Sequence, residues 1–198
     1  MFIDSGAMYR AVTLFIIRHN IPLELIKKDP ELLKSIEIKF KYNPENDFFE
    51  TYLNGVIVEK EIRNMEVANY VSEVSAVKQV REFLVHQQKQ FANDKGVVMD
   101  GRDIGTKVMP DAELKIFMTA DPVIRARRRF EELEGKEVLI SYEEVLANIK
   151  KRDMIDSTRE ESPLVKAEDA IILDNTNMSI EEQARVALTW AKGVIAVS

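Results

Sequence analysis

No cysteine occurs among the 198 residues. That removes a disulfide framework, a thiolate metal centre and a cysteine nucleophile together, and it fits a reducing compartment. Glycine and proline are scarce, at seven and six, and no stretch is rich enough in Gly, Pro or Ser to separate independent domains. Internal repeats and low-complexity tracts are also lacking, so a single domain over 1–198 is expected. The two histidines, His19 and His86, fall on predicted helices without a matching carboxylate motif. Both are expected to be structural or solvent-facing, and no protein metal site is expected. The longest apolar run, near Val12–Ile17, is far too short to cross a bilayer, and the N-terminus shows no basic-then-apolar signal pattern. Excess positive charge is missing as well. A net charge of -6 gives no general attraction to nucleic acid or to an anionic membrane, so an anionic ligand has to be held by local arginine clusters. The expected protein is soluble and cytoplasmic, with small phosphates still in range as ligands.

Hydrophobic residues make up 45% of the chain and charged residues 31%, enough to fold the whole of it around a substantial core. Met1-Phe2-Ile3 reads as the end of a strand, and Asp4-Ser5-Gly6 as a turn feeding a helix from about Ala7 to Asn20. Ile36–Phe40 alternates at period two, Phe48–Leu53 is rich in strand formers, and Asn54-Gly55 before Val56-Ile57-Val58 signals a hairpin. From Asn64 to Ala92, Val67, Val71, Val74, Val77, Val80 and Leu84 recur at helical spacing, predicting two helices with a break near Ser75. Gly96–Met99, Leu114–Met118 and Ala170–Leu173 read as short buried strands. Asp121-Pro122 starts a helix, and Ser141 with Glu144 and Ser179 with Glu182 fit capping boxes. Alternating β and α of this kind predicts an α/β fold, a parallel sheet covered by helices, with ligands beyond the carboxyl ends of its strands. A small antiparallel insert interrupts it.

Three stretches carry chemistry. Asp4–Arg10 places a hydroxyl, free backbone amides and an arginine at a helix start, which suits a phosphate; alone, it is equally a capped helix with a surface arginine. Met99–Thr106 sets Asp100, Arg102 and Asp103 on glycine-flanked backbone directly after an apolar strand, where a plain charged turn is the weaker explanation. The third stretch concentrates positive charge: Arg125, Arg127, Arg128 and Arg129 on a helix, a polar connection over Glu131–Glu137, then Lys150-Lys151-Arg152-Asp153 and Asp156 through Arg159. Arginine suits charge spread over several phosphate oxygens because its fork presents fixed donors and stays protonated. Arg127 alone fits a solvated helix face better. Arg152, Asp156 and Arg159 stand at i, i+4 and i+7, one face if the helix runs that far.

These motifs, with Glu61-Ile62-Arg63, Val71-Ser72 through Val80-Arg81 and Pro110-Asp111-Ala112, resemble the bacterial cytidylate kinase family almost end to end, in order and spacing. The resemblance implies a P-loop kinase-like fold with a monophosphate-binding insert over approximately 30–93 and a helical lid over approximately 129–152. It implies transfer of the γ-phosphoryl group of ATP to CMP or dCMP with Mg2+, in a protein that is usually a monomer. By similarity, Arg10 and Arg102 hold the acceptor phosphate, Ser72, Arg81 and Asp103 read the cytosine edge, and Ser5, Arg152 and Asp156 lie near the sugar. Arg159, with Arg125, Arg128 and Arg129, steadies phosphate charge as the lid closes.

One family feature is absent from the sequence. No G-x-x-x-x-G-K-[ST] run occurs; Gly135-Lys136 has Phe130 where the first glycine belongs and Glu137 where the hydroxyl belongs. The family pattern puts that loop and its strand before Met1, so exposed strand backbone and a chain of impaired activity are expected. An omitted N-terminus or a misassigned start is favoured over a true truncation. The alternatives are a nucleotide-binding protein without catalysis, or a kinase for UMP or AMP.

Overall fold

The computed structural model describes residues 1–93, 96–135 and 138–196; Lys136 and Glu137, named above, lie outside the described residues. The chain begins with strand β1 (Phe2–Asp4) and runs directly into helix α1 (Ser5–Arg18). Ten of the fourteen α1 residues are buried, so the helix is apolar on most of its circumference and forms the spine of the core. Helix α2 (Leu23–Lys28) and a short 3₁₀ turn lead to the antiparallel strands β2 (Ile38–Asn43), β3 (Phe48–Leu53) and β4 (Val56–Ile57). At the β3–β4 hairpin Asn54 has φ 49° and Gly55 has φ 82°. Positive φ at both central residues is the geometry whose twist matches paired strands, and Asn-Gly adopts it at low cost.

Helices α3 (Met65–Ala76) and α4 (Lys78–Ala92) follow, broken at Val77. Val67, Val71, Val74, Val80 and Leu84, with Val77 between the helices, join Ile3, Met8 and Ile16 in one core, each such burial contributing about 1.5–3 kcal/mol. The antiparallel strands and these two helices therefore share their core with β1 and α1. Strand β5 (Val98–Asp100) pairs parallel with β1, in register Ile3↔Met99. A π-helical turn over Ile104–Val108 comes next, then β6 (Ile116–Thr119), α5 (Pro122–Glu134), α6 (Tyr142–Thr158), β7 (Ile171–Asp174) and α7 (Ile180–Ile195).

Two details differ from the sequence expectation. The run Glu131–Glu134 belongs to helix α5, because Leu133 packs with Ala126 and Val145 in a small core between α5 and α6. The parallel strands form two separate pairs, β1·β5 and β6·β7, instead of one sheet. Among the described residues no strand joins them; Val98 stays 66% and Met118 56% exposed, and α7 buries none of its described residues. No described helix is long and apolar enough to cross a membrane.

Candidate active site

Parallel pairing sets Asp4 opposite Asp100, so the carboxyl ends of β1 and β5 lie side by side. Ser5 Oγ stitches them by donating to the Asp100 carbonyl at 2.6 Å. A Cβ at position 101 would stand 2.3 Å from that Ser5 oxygen and 2.8 Å from the Ile104 side chain, which is why glycine follows the strand. Asp4 caps α1: its Oδ1 accepts from the Ala7 amide at 2.8 Å, while Oδ2 takes Arg10 Nη2 at 2.8 Å. The guanidinium folds back over Gly6, where a Cβ would lie 3.3 Å from Arg10 Nη1.

The loop after β5 meets the end of α6. Arg102 Nε donates to Asp156 at 3.0 Å, and Arg159 Nη1 to the other Asp156 oxygen at 3.3 Å. Helix α6 ends at Thr158, so Arg152 and Asp156 stand one turn apart on it while Arg159 is its C-cap and reaches Asp156 from beyond the last turn. Nearby, Arg81 forms an ion pair with Asp103, both side chains 4% exposed. Its Nη1 also donates to the Ser75 carbonyl, and Ser75 Oγ donates to the carbonyl of buried Ser72, so the α3–α4 break anchors Arg81. The Arg81 guanidinium lies 5.4 Å from the Tyr9 ring centre.

Electrostatics tie these groups into one cluster. The pKa values of Arg10, Arg152 and Arg159 are all held below the ordinary arginine value, first by burial. Next in size, Arg102 opposes the charge on Arg152 and Arg81 that on Arg159. Arg10 and Arg129 add to the repulsion at Arg152. Burial, then Asp4, pushes the Asp100 carboxyl up, against Arg10 and Arg102. Arg10 Nε, Arg152 Nε and Arg159 Nη2 are buried donors without a hydrogen-bond partner. Buried, mutually repelling guanidiniums with open donors are unfavourable alone and become satisfied by an anion carrying several oxygens.

Arg10, Arg102, Arg152, Arg159, Arg81, Asp103, Asp156 and Ser5 are thereby brought together, with Ser72 on α3 linked to Arg81 through Ser75. The helix arginines are engaged differently. Arg125 donates both prongs to Asp153, at 2.9 and 2.6 Å. Arg128 reaches the carbonyls of Asn175, Thr176 and Met178. Arg129 pairs with Glu132 at 2.6 Å and is felt by Arg152. Contacts also cross from α6 to α3: Lys151–Glu73 at 3.5 Å, and Asn148 to Asn69 at 3.4 Å.

Tyr9 belongs to the site without having been assigned a role. Its hydroxyl is buried and unpartnered, and burial pushes its pKa to about 12, with Arg81, Asp103 and Arg159 contributing smaller effects. One turn after Ser5 on the same helix, it could have been found from spacing. Glu59, which reaches Asp4 and Arg10 only through Arg63, leaves no such local signal.

The sequence matches the cytidylate kinase family over residues 1–192. Cytidylate kinases of Parabacteroides distasonis and Bacteroides thetaiotaomicron are 58% and 55% identical, each over 92% of this chain and 81% of the relative. That of Flavobacterium psychrophilum is 52% identical over 98% of this chain and 87% of its own length. With the matched span enclosing every residue of the arginine cluster, the chain belongs to the cytidylate kinase family.

Proposed function

We propose that this chain is an ATP-dependent kinase that phosphorylates CMP and dCMP. The supporting observation is the set of buried arginine donors, on Arg10, Arg152 and Arg159, that have no protein partner. A nucleotide supplies what they lack, phosphate oxygens for Arg10 and Arg159 and sugar oxygens for Arg152, and the relatives' names give the nucleotide.

Arg10 and Arg102 take the phosphate, with Arg159 and Arg129 spreading its charge. Arg125 and Arg128 act in the same closure by fixing α5 against α6 and against the loop after β7. Ser5, Arg152 and Asp156 line the sugar. Ser72, Arg81 and Asp103 read the cytosine edge, where a uracil would leave a buried polar group unpaired. Phosphoryl transfer needs alignment and charge stabilisation more than a covalent residue, so this arrangement raises the rate by positioning the acceptor oxygen. The insert of about 30–93 and the lid of about 129–152 close on the nucleotide, as the α3–α6 contacts suggest. Mg2+ accompanies ATP as the co-substrate's counter-ion, neutralising phosphate charge. The working protein is a cytoplasmic monomer.

Calorimetry with CMP, UMP, AMP and cytidine isolates the acceptor site; a coupled ATP-consumption assay then reads transfer. CMP binding more tightly than UMP, AMP and cytidine is the expected result, and equal binding of CMP and cytidine overturns the proposal. Because the sequence contains no G-x-x-x-x-G-K-[ST] loop, a second outcome is defined: CMP bound, ATP not bound and no turnover identifies a nucleotide-binding protein without catalysis.

A further inference from the structure

We infer that Arg63 is a positioning residue for Arg10, acting through Asp4; this rests on the phosphate-binding role proposed for Arg10. Asp4 Oδ2 is shared. It accepts from Arg10 Nη2 at 2.8 Å and from Arg63 Nη2 at 3.4 Å. Arg63 is held in turn by Glu59, whose Oε1 lies 2.7 Å from Arg63 Nε. The other Glu59 oxygen accepts from the Thr51 amide at 3.1 Å and from Thr51 Oγ1 at 2.8 Å. Thr51 is buried on β3 and paired with Phe40 of β2. A line of contacts therefore runs from the antiparallel insert, through Glu59, Arg63 and Asp4, to Arg10.

Two carboxylates and two guanidiniums alternate along this line, so its charges balance. Asp4 restrains one prong of Arg10 and leaves Nε buried and open. How firmly it does so depends on Arg63, because one carboxylate oxygen divides its attraction between two cations. Without Arg63, Asp4 belongs wholly to Arg10. The guanidinium is then drawn toward the start of α1 and away from an incoming phosphate, and Glu59 loses its cation. Arg63 also lines a cavity of about 360 Å3 with Phe2, Phe40, Phe48 and Phe49, and none of these aromatics belongs to the arginine cluster. Its replacement leaves the donors of Arg102, Arg152 and Arg159 in place.

The test is calorimetry of CMP and cytidine with the wild-type chain, Arg63→Ala, Arg63→Lys and the double variant Arg63→Ala/Asp4→Asn. Arg63→Ala is expected to weaken CMP about three- to tenfold while cytidine binding stays unchanged. Arg63→Lys, which keeps a cation beside Asp4, recovers most of that loss. The double variant recovers it too, since asparagine still caps α1 but no longer holds Arg10 by charge. If Arg63→Ala does not fold, Arg63→Gln replaces it with the same expectation. Equal losses for CMP and cytidine, no loss for either, or failure of Asp4→Asn to restore CMP overturns the inference. A wild-type chain that does not prefer CMP to cytidine overturns the proposed function instead, so the two failures are distinct.

Discussion

Arg102 and Arg159 close on the same carboxylate from opposite sides: Asp156 Oδ2 takes Arg102 Nε at 3.0 Å and Oδ1 takes Arg159 Nη1 at 3.3 Å. Asp156 also offsets the charge of Arg152 one turn earlier on α6. One buried acid thus holds together three arginines that otherwise repel.

Asp156→Asn is therefore expected to lower stability by about 1–3 kcal/mol, since the guanidiniums lose their counter-charge but keep a polar neighbour. For a chain of this size that is a fall of about 2–4 °C in Tm per kcal/mol. Inorganic phosphate should raise Tm more in the variant than in the wild type, because the anion replaces the missing charge. Thermal melts with and without ligand measure both, and an equal ligand shift in the two proteins removes Asp156 from the cluster's charge balance.

Arg81 and Asp103 form the most enclosed ion pair of the site, each side chain 4% exposed. Removing one partner strands a buried charge and is expected to cost about 3–5 kcal/mol, whereas removing both costs less than the sum. Urea denaturation of Arg81→Ala, Asp103→Ala and the double variant gives the coupling. If the pair also reads the base, Arg81→Ala lowers the preference for CMP over UMP. An unchanged preference would leave the pair a purely structural one.

Much of the architecture was legible because its signals are local. Both capping boxes form as the spacing predicts, with Ser141 and Ser179 each accepting from a glutamate amide three residues on. Asn54-Gly55 makes the hairpin, and Arg152 and Asp156 stand one turn apart on α6, with Arg159 as its C-cap. What stayed hidden depends on partners distant in sequence. Nothing in the run Arg125–Arg129 says that Arg125 will spend both prongs on Asp153, or Arg128 its donors on the carbonyls after β7. Glu131–Glu134 looks like a polar connection until Leu133 is seen against Val145. The link from Glu59 to Arg10 crosses from the insert to the first helix, where no periodicity reaches.

Glycine substitutions separate close approach from helix propensity. Gly101→Ala drives a methyl within 2.3 Å of Ser5 Oγ and 2.8 Å of Ile104, so it is expected to cost about 1–3 kcal/mol and to weaken CMP binding by displacing Ser5. At Gly193, inside α7, nothing lies within 4 Å of the added Cβ. There alanine is expected to add about 0.5–1 kcal/mol through helix propensity, with CMP binding unchanged. Chemical denaturation of both variants checks the contrast, and a stabilised Gly101→Ala would mean the strand end can give way.

Asp100 gives a prediction in pH. Burial, then the neighbouring Asp4, holds its pKa above the ordinary value of 3.8, outweighing Arg10 and Arg102. The folded protein therefore binds this proton more tightly than the unfolded chain does. Its favourable contribution is fully present below the unfolded pKa and is lost as pH rises through the higher folded one. At neutral pH the carboxylate is a net cost, so Asp100→Asn is expected to raise stability by less than about 1 kcal/mol, because the group is partly solvated. The gain should vanish at about pH 3, where the wild-type carboxyl is protonated in both states. Tm measured across that range decides it. A variant less stable than wild type at neutral pH would show that attraction to Arg10 and Arg102 exceeds the burial cost, and that Asp100 is a counter-ion the phosphate must displace.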